Sequence, residues 1–112
     1  MEPIDIGGLV AQIQTAATAV IKKDVTTLQG FSAQQVNAIA QQAVLVSAGI
    51  ADGSITDETQ VFFLDSLKEM VRSFVNTLAG LVAVTIEETW NAIVGVIWAA
   101  IGKATGLALM AP

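Results

Sequence analysis

Apolar positions near the start of the chain recur at the three- and four-residue spacing of an amphipathic helix. The positions that follow this spacing are Ile6, Leu9, Val10, Ile13, Ala16, Ala17, Val20 and Ile21. Two consecutive glycines, Gly7 and Gly8, weaken the first turn, and Lys22 and Lys23 suit the negative C-terminal end of a helix. The pattern predicts a first helix from about residue 4 to residue 23.

A second helix is predicted from about residue 33 to residue 51. Ser32 precedes Gln35 by three residues, which is the spacing of an N-terminal capping box. The apolar face of this helix comprises Val36, Ile39, Ala40, Ala43, Ser47 and Ile50. No charged residue occurs between residues 25 and 51, although a solvated helix usually carries charge on its outer face. This neutrality indicates that the helix is partly covered; the alternative is a glutamine-rich surface in water.

The rest of the chain is predicted to form one long helix, from about residue 57 to residue 104. Asp52 and Gly53 mark a turn before it, and Thr56 is placed to cap it. Polar residues then fall at positions 65, 69, 72, 76, 87 and 91, and no strong stop intervenes. Positions 65, 76 and 87 repeat every 11 residues, which predicts a narrow polar stripe along a nearly straight helix.

Such a helix would be about 70 Å long. A compact chain of this size is only about 35 Å across, so two shorter helices cannot cover it. Either the long helix bends, near residues 79–80 or at Gly95, or it packs against copies of the same chain. We favour copies, with or without a bend.

The predicted fold class is therefore all-α, with residues 1–112 as a single helical domain. Two shorter helices pack on one long C-terminal helix, and self-association completes the bundle. The apolar residues predicted to form the self-association interface are Leu78, Leu81, Val82, Ile86, Trp90, Ile93, Val94, Ile97, Trp98 and Ile101.

Composition narrows the possible partners. Apolar residues make up 54 % of the chain and charged residues only 13 %, so part of the surface is expected to be apolar. The net charge of −5 argues against nucleic acid and against anionic lipid headgroups. The start of the sequence lacks the cationic and apolar regions of a secretory signal, which predicts a cytoplasmic location, with membrane association as the alternative.

The C-terminal region raises the question of a membrane span. A span from residue 74 to residue 102 would place Glu87 and Glu88 near mid-depth, which costs about 2.5–3.5 kcal/mol for each carboxylate. A tail anchor over residues 92–110 avoids these two residues but must accommodate Lys103. Insertion into a membrane is therefore the second choice.

Candidate chemistry is sparse. The sequence has no His and no Cys, so we expect no catalytic residue, metal site or cofactor. Asp65, Lys68, Glu69 and Arg72 share one helical face, where two solvated ion pairs are a better interpretation than acid–base catalysis. Glu87 and Glu88 are interpreted as charges at the rim of an assembly, or alternatively as a polar notch or a proton-sensitive latch. The apolar group of Phe62, Phe63, Leu64 and Leu67 is assigned to the core.

These observations predict a non-enzymatic protein that acts as a structural or interaction subunit. Its expected partner is itself, in a homo-oligomer, or another helical protein. The alternative is a small membrane-active protein, tail-anchored, pore-forming, or of the phage-lysis or toxin kind.

Overall fold

The computed structural model describes residues 4–22, 24–31, 33–81 and 85–106, and this part of the chain is all-α. The described residues contain four α-helices and one turn of 3-10 helix at Val25–Thr27. The α-helices are α1 (Ile6–Ile21), α2 (Ala33–Asp52), α3 (Asp57–Leu81) and α4 (Ile86–Thr105). The all-α class is confirmed, and α1 and α2 begin and end within two residues of the two shorter predicted helices.

The ends of α1 are fixed by local hydrogen bonds. A carboxylate oxygen of Asp5 accepts a hydrogen bond from the backbone N–H of Gly8 at 3.1 Å. At the other end, Lys22 has a φ of 64°, and its backbone N–H donates to the carbonyl oxygen of Thr18 at 2.7 Å. A non-glycine residue in this left-handed region ends the helix at a cost of about 1–2 kcal/mol.

The start of α3 is capped as the sequence predicted. The Thr56 hydroxyl accepts from the backbone N–H of Thr59 at 3.3 Å, and the Thr59 hydroxyl accepts from the backbone N–H of Thr56 at 2.9 Å. This reciprocal pair satisfies two backbone donors that a helix start otherwise leaves unpaired. Ser32, the predicted cap of α2, lies outside the described residues.

The prediction of one long C-terminal helix is wrong. α3 ends at Leu81 and α4 begins at Ile86, with Thr85 in an extended conformation before it. The two helices fold back on each other, since the indole N–H of Trp90 on α4 donates to the backbone carbonyl of Lys68 on α3 at 3.4 Å. The longest dimension of the fold is 40 Å, which cannot contain a straight helix of about 70 Å.

The reversal has a simple physical reason. Folding back allows the apolar faces of α3 and α4 to bury each other within one chain. The polar spacing missed this reversal because it continues in phase from α3 to α4, although the break falls close to residues 79–80, where a bend was considered.

The helices form a bundle in which α2 and α4 each pack against the other three, and α1 and α3 lie on opposite sides. The core draws on all four helices. Its largest fully buried side chains are Phe74, Ile13, Ile39, Leu67, Leu78, Ile93, Ile97, Ile101, Val25, Val36, Val46 and Val71. The ring of Phe31 packs edge-on against Phe74, with centroids 6.1 Å apart.

A single chain therefore supplies all four helices of the bundle. This corrects the prediction that self-association completes it. The prediction overestimated the apolar area that a single chain leaves exposed. A long straight helix exposes apolar faces that an antiparallel helical hairpin buries.

Candidate functional site

The residues predicted to form a self-association interface lie mostly inside the chain's own core. Leu78, Ile93, Val94, Ile97, Trp98 and Ile101 are buried. Leu81 and Trp90 are partly buried, Ile86 is 38 % exposed, and Val82 lies outside the described residues. The six buried residues are not accessible to a partner in this fold. Self-association itself stays a prediction.

The charged face of α3 forms a shallow cavity of about 330 Å³ with Trp90. Its lining residues are Asp65, Lys68, Glu69, Arg72 and Trp90. The guanidinium carbon of Arg72 lies 4.9 Å from the centre of the Trp90 ring, a cation–π geometry. The Nζ atom of Lys68 lies 3.8 Å from a carboxylate oxygen of Asp65, which makes an ion pair. Within the described ranges no ion pair joins Glu69 to Arg72. The predicted Asp65–Lys68 ion pair is thus confirmed. Arg72 contacts the indole ring of Trp90 and does not form the predicted ion pair with Glu69.

Glu87 and Glu88 lie in the first turn of α4, and both are exposed. Carboxylates in this position interact favourably with the partly positive N-terminal end of a helix. Their placement explains two adjacent acids in an apolar stretch without a catalytic role. The interpretations as a rim, a notch or a latch each depend on a partner, and they stay predictions.

Two adjoining cavities follow the seam between α1 and α4, with volumes of about 420 and 470 Å³. Both are lined by Gln12 and Ala99, and most of the other lining side chains are small. Asp5 and Lys103 stand at the end of the first cavity. The pairing of the start of α1 with the end of α4 shows that these helices are antiparallel. Only Asp5 and Lys103 among the lining side chains are charged, so the two cavities do not indicate a particular ligand.

The most unusual feature of the surface is a group of large apolar side chains at the start of α3. Phe62 is 75 % exposed, Val61 58 % and Phe63 39 %. Leu45 on α2 is 65 % exposed. The assignment of Phe62 and Phe63 to the core is therefore wrong, while that of Leu67 is confirmed because it is fully buried. We call Phe62, Phe63 and Leu45 the Phe62 surface, and we leave Val61 out because the polar positions 65, 69, 72 and 76 of α3 pass between it and Phe62.

The register of the α2–α3 hairpin brings Leu45 level with Phe62 and Phe63. The side-chain amide of Gln35 on α2 lies 3.4 Å from the Ser73 hydroxyl on α3. Both helices rise 1.5 Å per residue and run in opposite directions. Ten residues further along α2, Leu45 therefore lies level with residue 63 of α3.

The sequence contained a sign that Phe62 is exposed. The polar positions 65, 69, 72 and 76 define the outer face of α3, and the same spacing extended backwards reaches Glu58. This stripe passes between Val61 and Phe62. Periodicity therefore placed both on the solvent side, and the interpretation as core relied on residue type alone.

Residues 4–22, 24–31, 33–81 and 85–106 contain neither a cluster of metal ligands nor a membrane-spanning helix. No group of three or more Asp or Glu side chains there is arranged to hold a metal ion. No helix within these ranges has both the length and the apolar character needed to cross a bilayer.

No protein-family model, curated protein or solved structure matches this chain.

Proposed function

We propose that this protein is a non-enzymatic helical subunit that binds a protein partner through the Phe62 surface. The supporting observation is the 75 % exposure of Phe62, on a helix in which another phenylalanine, Phe74, is fully buried. A ring held in water costs free energy that a bound partner would recover.

The size of the surface suits a binding role. Its three side chains expose on the order of 300 Å² of apolar area, the lower end of the range for the largest patch on a typical monomer. Burying that area would contribute roughly 8 kcal/mol at about 25 cal/mol per Å². Association itself costs at least about 4 kcal/mol, so the surface can anchor a complex but needs further contacts for high affinity.

The chemistry of the chain favours binding over catalysis. The sequence has no His and no Cys, the usual general base and thiol nucleophile. The charged side chains of the α3 cavity lie on an open surface, where water screens them.

Site-specific photo-crosslinking tests the proposal. Benzoylphenylalanine placed at position 62 should give a discrete adduct with one protein in cells that produce this chain. The control carries the same group at position 19, where Ala19 is exposed on α1, on the opposite side of the bundle from α3. The cross-linked protein is then purified, and its affinity is measured for the original chain and for Phe62→Ser.

The proposal expects Phe62→Ser to weaken binding of that purified partner at least tenfold, as substitution of an anchor residue does. Equal adducts from positions 62 and 19, or equal affinity of the two chains, would contradict it. Sedimentation of the chain alone measures its mass and tests the prediction of self-association.

A further inference from the structure

The residues around Phe62 on α3 are acidic. In a helix the neighbours of residue 62 are those three, four and seven positions away, which include Glu58, Asp65 and Glu69. All three side chains are exposed. We call these three residues the carboxylate rim.

The positive charges near the rim compensate it only in part. Lys68 lies 3.8 Å from Asp65, and Arg72 lies against the Trp90 ring. Residues 57–65 contain three carboxylates and no Lys or Arg, and α2, which carries Leu45, has no charge before Asp52. The N-terminal end of α3 offsets part of the charge of Glu58. The ring of Phe62 thus lies in a region of net negative charge.

This charge distinguishes among possible occupants. A second copy related by a two-fold axis through Phe62 would bring each carboxylate rim close to an identical rim. Anionic lipid headgroups would meet the same repulsion. A cationic segment would gain attraction at the rim while it buries the ring, and electrostatic complementarity of this kind selects partners.

From this arrangement, and on the basis of the proposed function, we infer that the Phe62 surface binds a cationic amphipathic segment of another protein. Apolar side chains of the segment cover Phe62 and Leu45, and Lys or Arg side chains reach Glu58, Asp65 and Glu69. The rim supplies the additional contacts that the apolar area needs for specific association.

Fluorescence anisotropy with defined peptides tests the inference. The probe is an 18-residue amphipathic peptide of Leu, Ala and Lys with a terminal fluorescein. Its two controls are a scrambled peptide of the same composition and a peptide in which Glu replaces every Lys. The protein variants are Phe62→Ser, the double variant Glu58→Gln with Glu69→Gln, and the double variant Glu58→Lys with Glu69→Lys. Urea unfolding of each variant verifies that it is folded.

We expect the Lys peptide to bind at least about tenfold more tightly than either control, with an affinity that falls as salt screens the rim. Phe62→Ser should weaken this binding about tenfold, and the Gln double variant should weaken it severalfold. The Lys double variant should prefer the Glu peptide.

Other outcomes would overturn the inference in distinguishable ways. Equal binding of the Lys and Glu peptides, lost in Phe62→Ser, would refute the cationic partner and leave the proposed function standing. Binding of the Lys peptide that Phe62→Ser does not change would refute the inference, whereas the proposed function is refuted by equal affinity of the purified partner for the original chain and for Phe62→Ser. Binding no tighter than that of the scrambled peptide would overturn the inference. So would a dimer in sedimentation, or binding to phosphatidylcholine vesicles, that Phe62→Ser abolishes.

Discussion

Two apolar stretches of this chain have opposite environments. In α4, Ile93, Ile97 and Ile101 are fully buried by the other helices. At the start of α3, Val61 and Phe62 lie mostly in water. Residue type does not separate them, because both stretches consist of large apolar side chains. What differs is their position relative to the solvent-exposed face of their own helix. One stretch therefore stabilises the fold, and the other is available to a partner.

The largest test of this contrast introduces the same charge into each stretch. Ile97→Asp places an unpaired carboxylate in the core and should cost about 4 kcal/mol or more, a large part of the stability of a domain of this size. Phe62→Asp adds a carboxylate beside Glu58, Asp65 and Glu69 and should cost only about 1 kcal/mol, from the repulsion of like charges on an exposed helix face. Urea unfolding followed by circular dichroism measures both.

Ile97→Val is the control for the core site and should cost about 0.5–1.5 kcal/mol. If Phe62→Asp proved as destabilising as Ile97→Asp, Phe62 would be a core residue. The proposed binding surface would then not exist.

A finer test uses three phenylalanines of α3. Phe74, Phe63 and Phe62 are 0 %, 39 % and 75 % exposed, and replacement by Ala changes helix propensity equally in each. We expect losses of about 3–5 kcal/mol for Phe74→Ala, about 1–2 for Phe63→Ala and less than about 0.5 for Phe62→Ala. Thermal and urea unfolding should give the same order, and any other order would contradict the described packing.

The sequence predicted the local structure well and the chain reversal poorly. The spacing of Leu9, Ile13 and Ala17 located α1, and Thr56 located the start of α3, because caps and periodicity act over a few residues. The break between α3 and α4 depends on which apolar faces meet in three dimensions. No residue between positions 57 and 104 forced it, since the only prolines are at positions 3 and 112.

The candidate site was missed for a related reason. Periodicity placed Phe62 on the polar face of α3, but the apolar character of its ring suggested the core. The ten residues chosen for an interface were the most apolar of the C-terminal half, and the fold uses most of them internally. Whether an apolar residue is buried depends on how all four helices pack around one core. The spacing of apolar residues along a single helix does not specify that packing.

The smallest expected effect concerns Asp52, in the turn that leads into α3. Hydrogen bonds from the side chain and the backbone N–H of Ser54 lower the pKa of Asp52 below its ordinary value of 3.8. The folded state therefore holds its proton less tightly than the unfolded chain. The contribution to stability is complete at neutral pH and is lost as the pH falls through 3.8 and then through the lower folded value.

Asp52→Asn should lower the urea midpoint slightly at pH 7, and this difference should close at pH values below the folded pKa. Ser54→Ala, which also removes the hydrogen bond from its hydroxyl to the carbonyl of Gly49, should retain a loss at both pH values. A midpoint difference for Asp52→Asn that stayed the same at low pH would show that the carboxylate charge does not stabilise the turn. Because the turn only sets where α3 begins, neither substitution should change the affinity of the Phe62 surface for its partner, and that independence separates binding by α3 from the stability of the bundle.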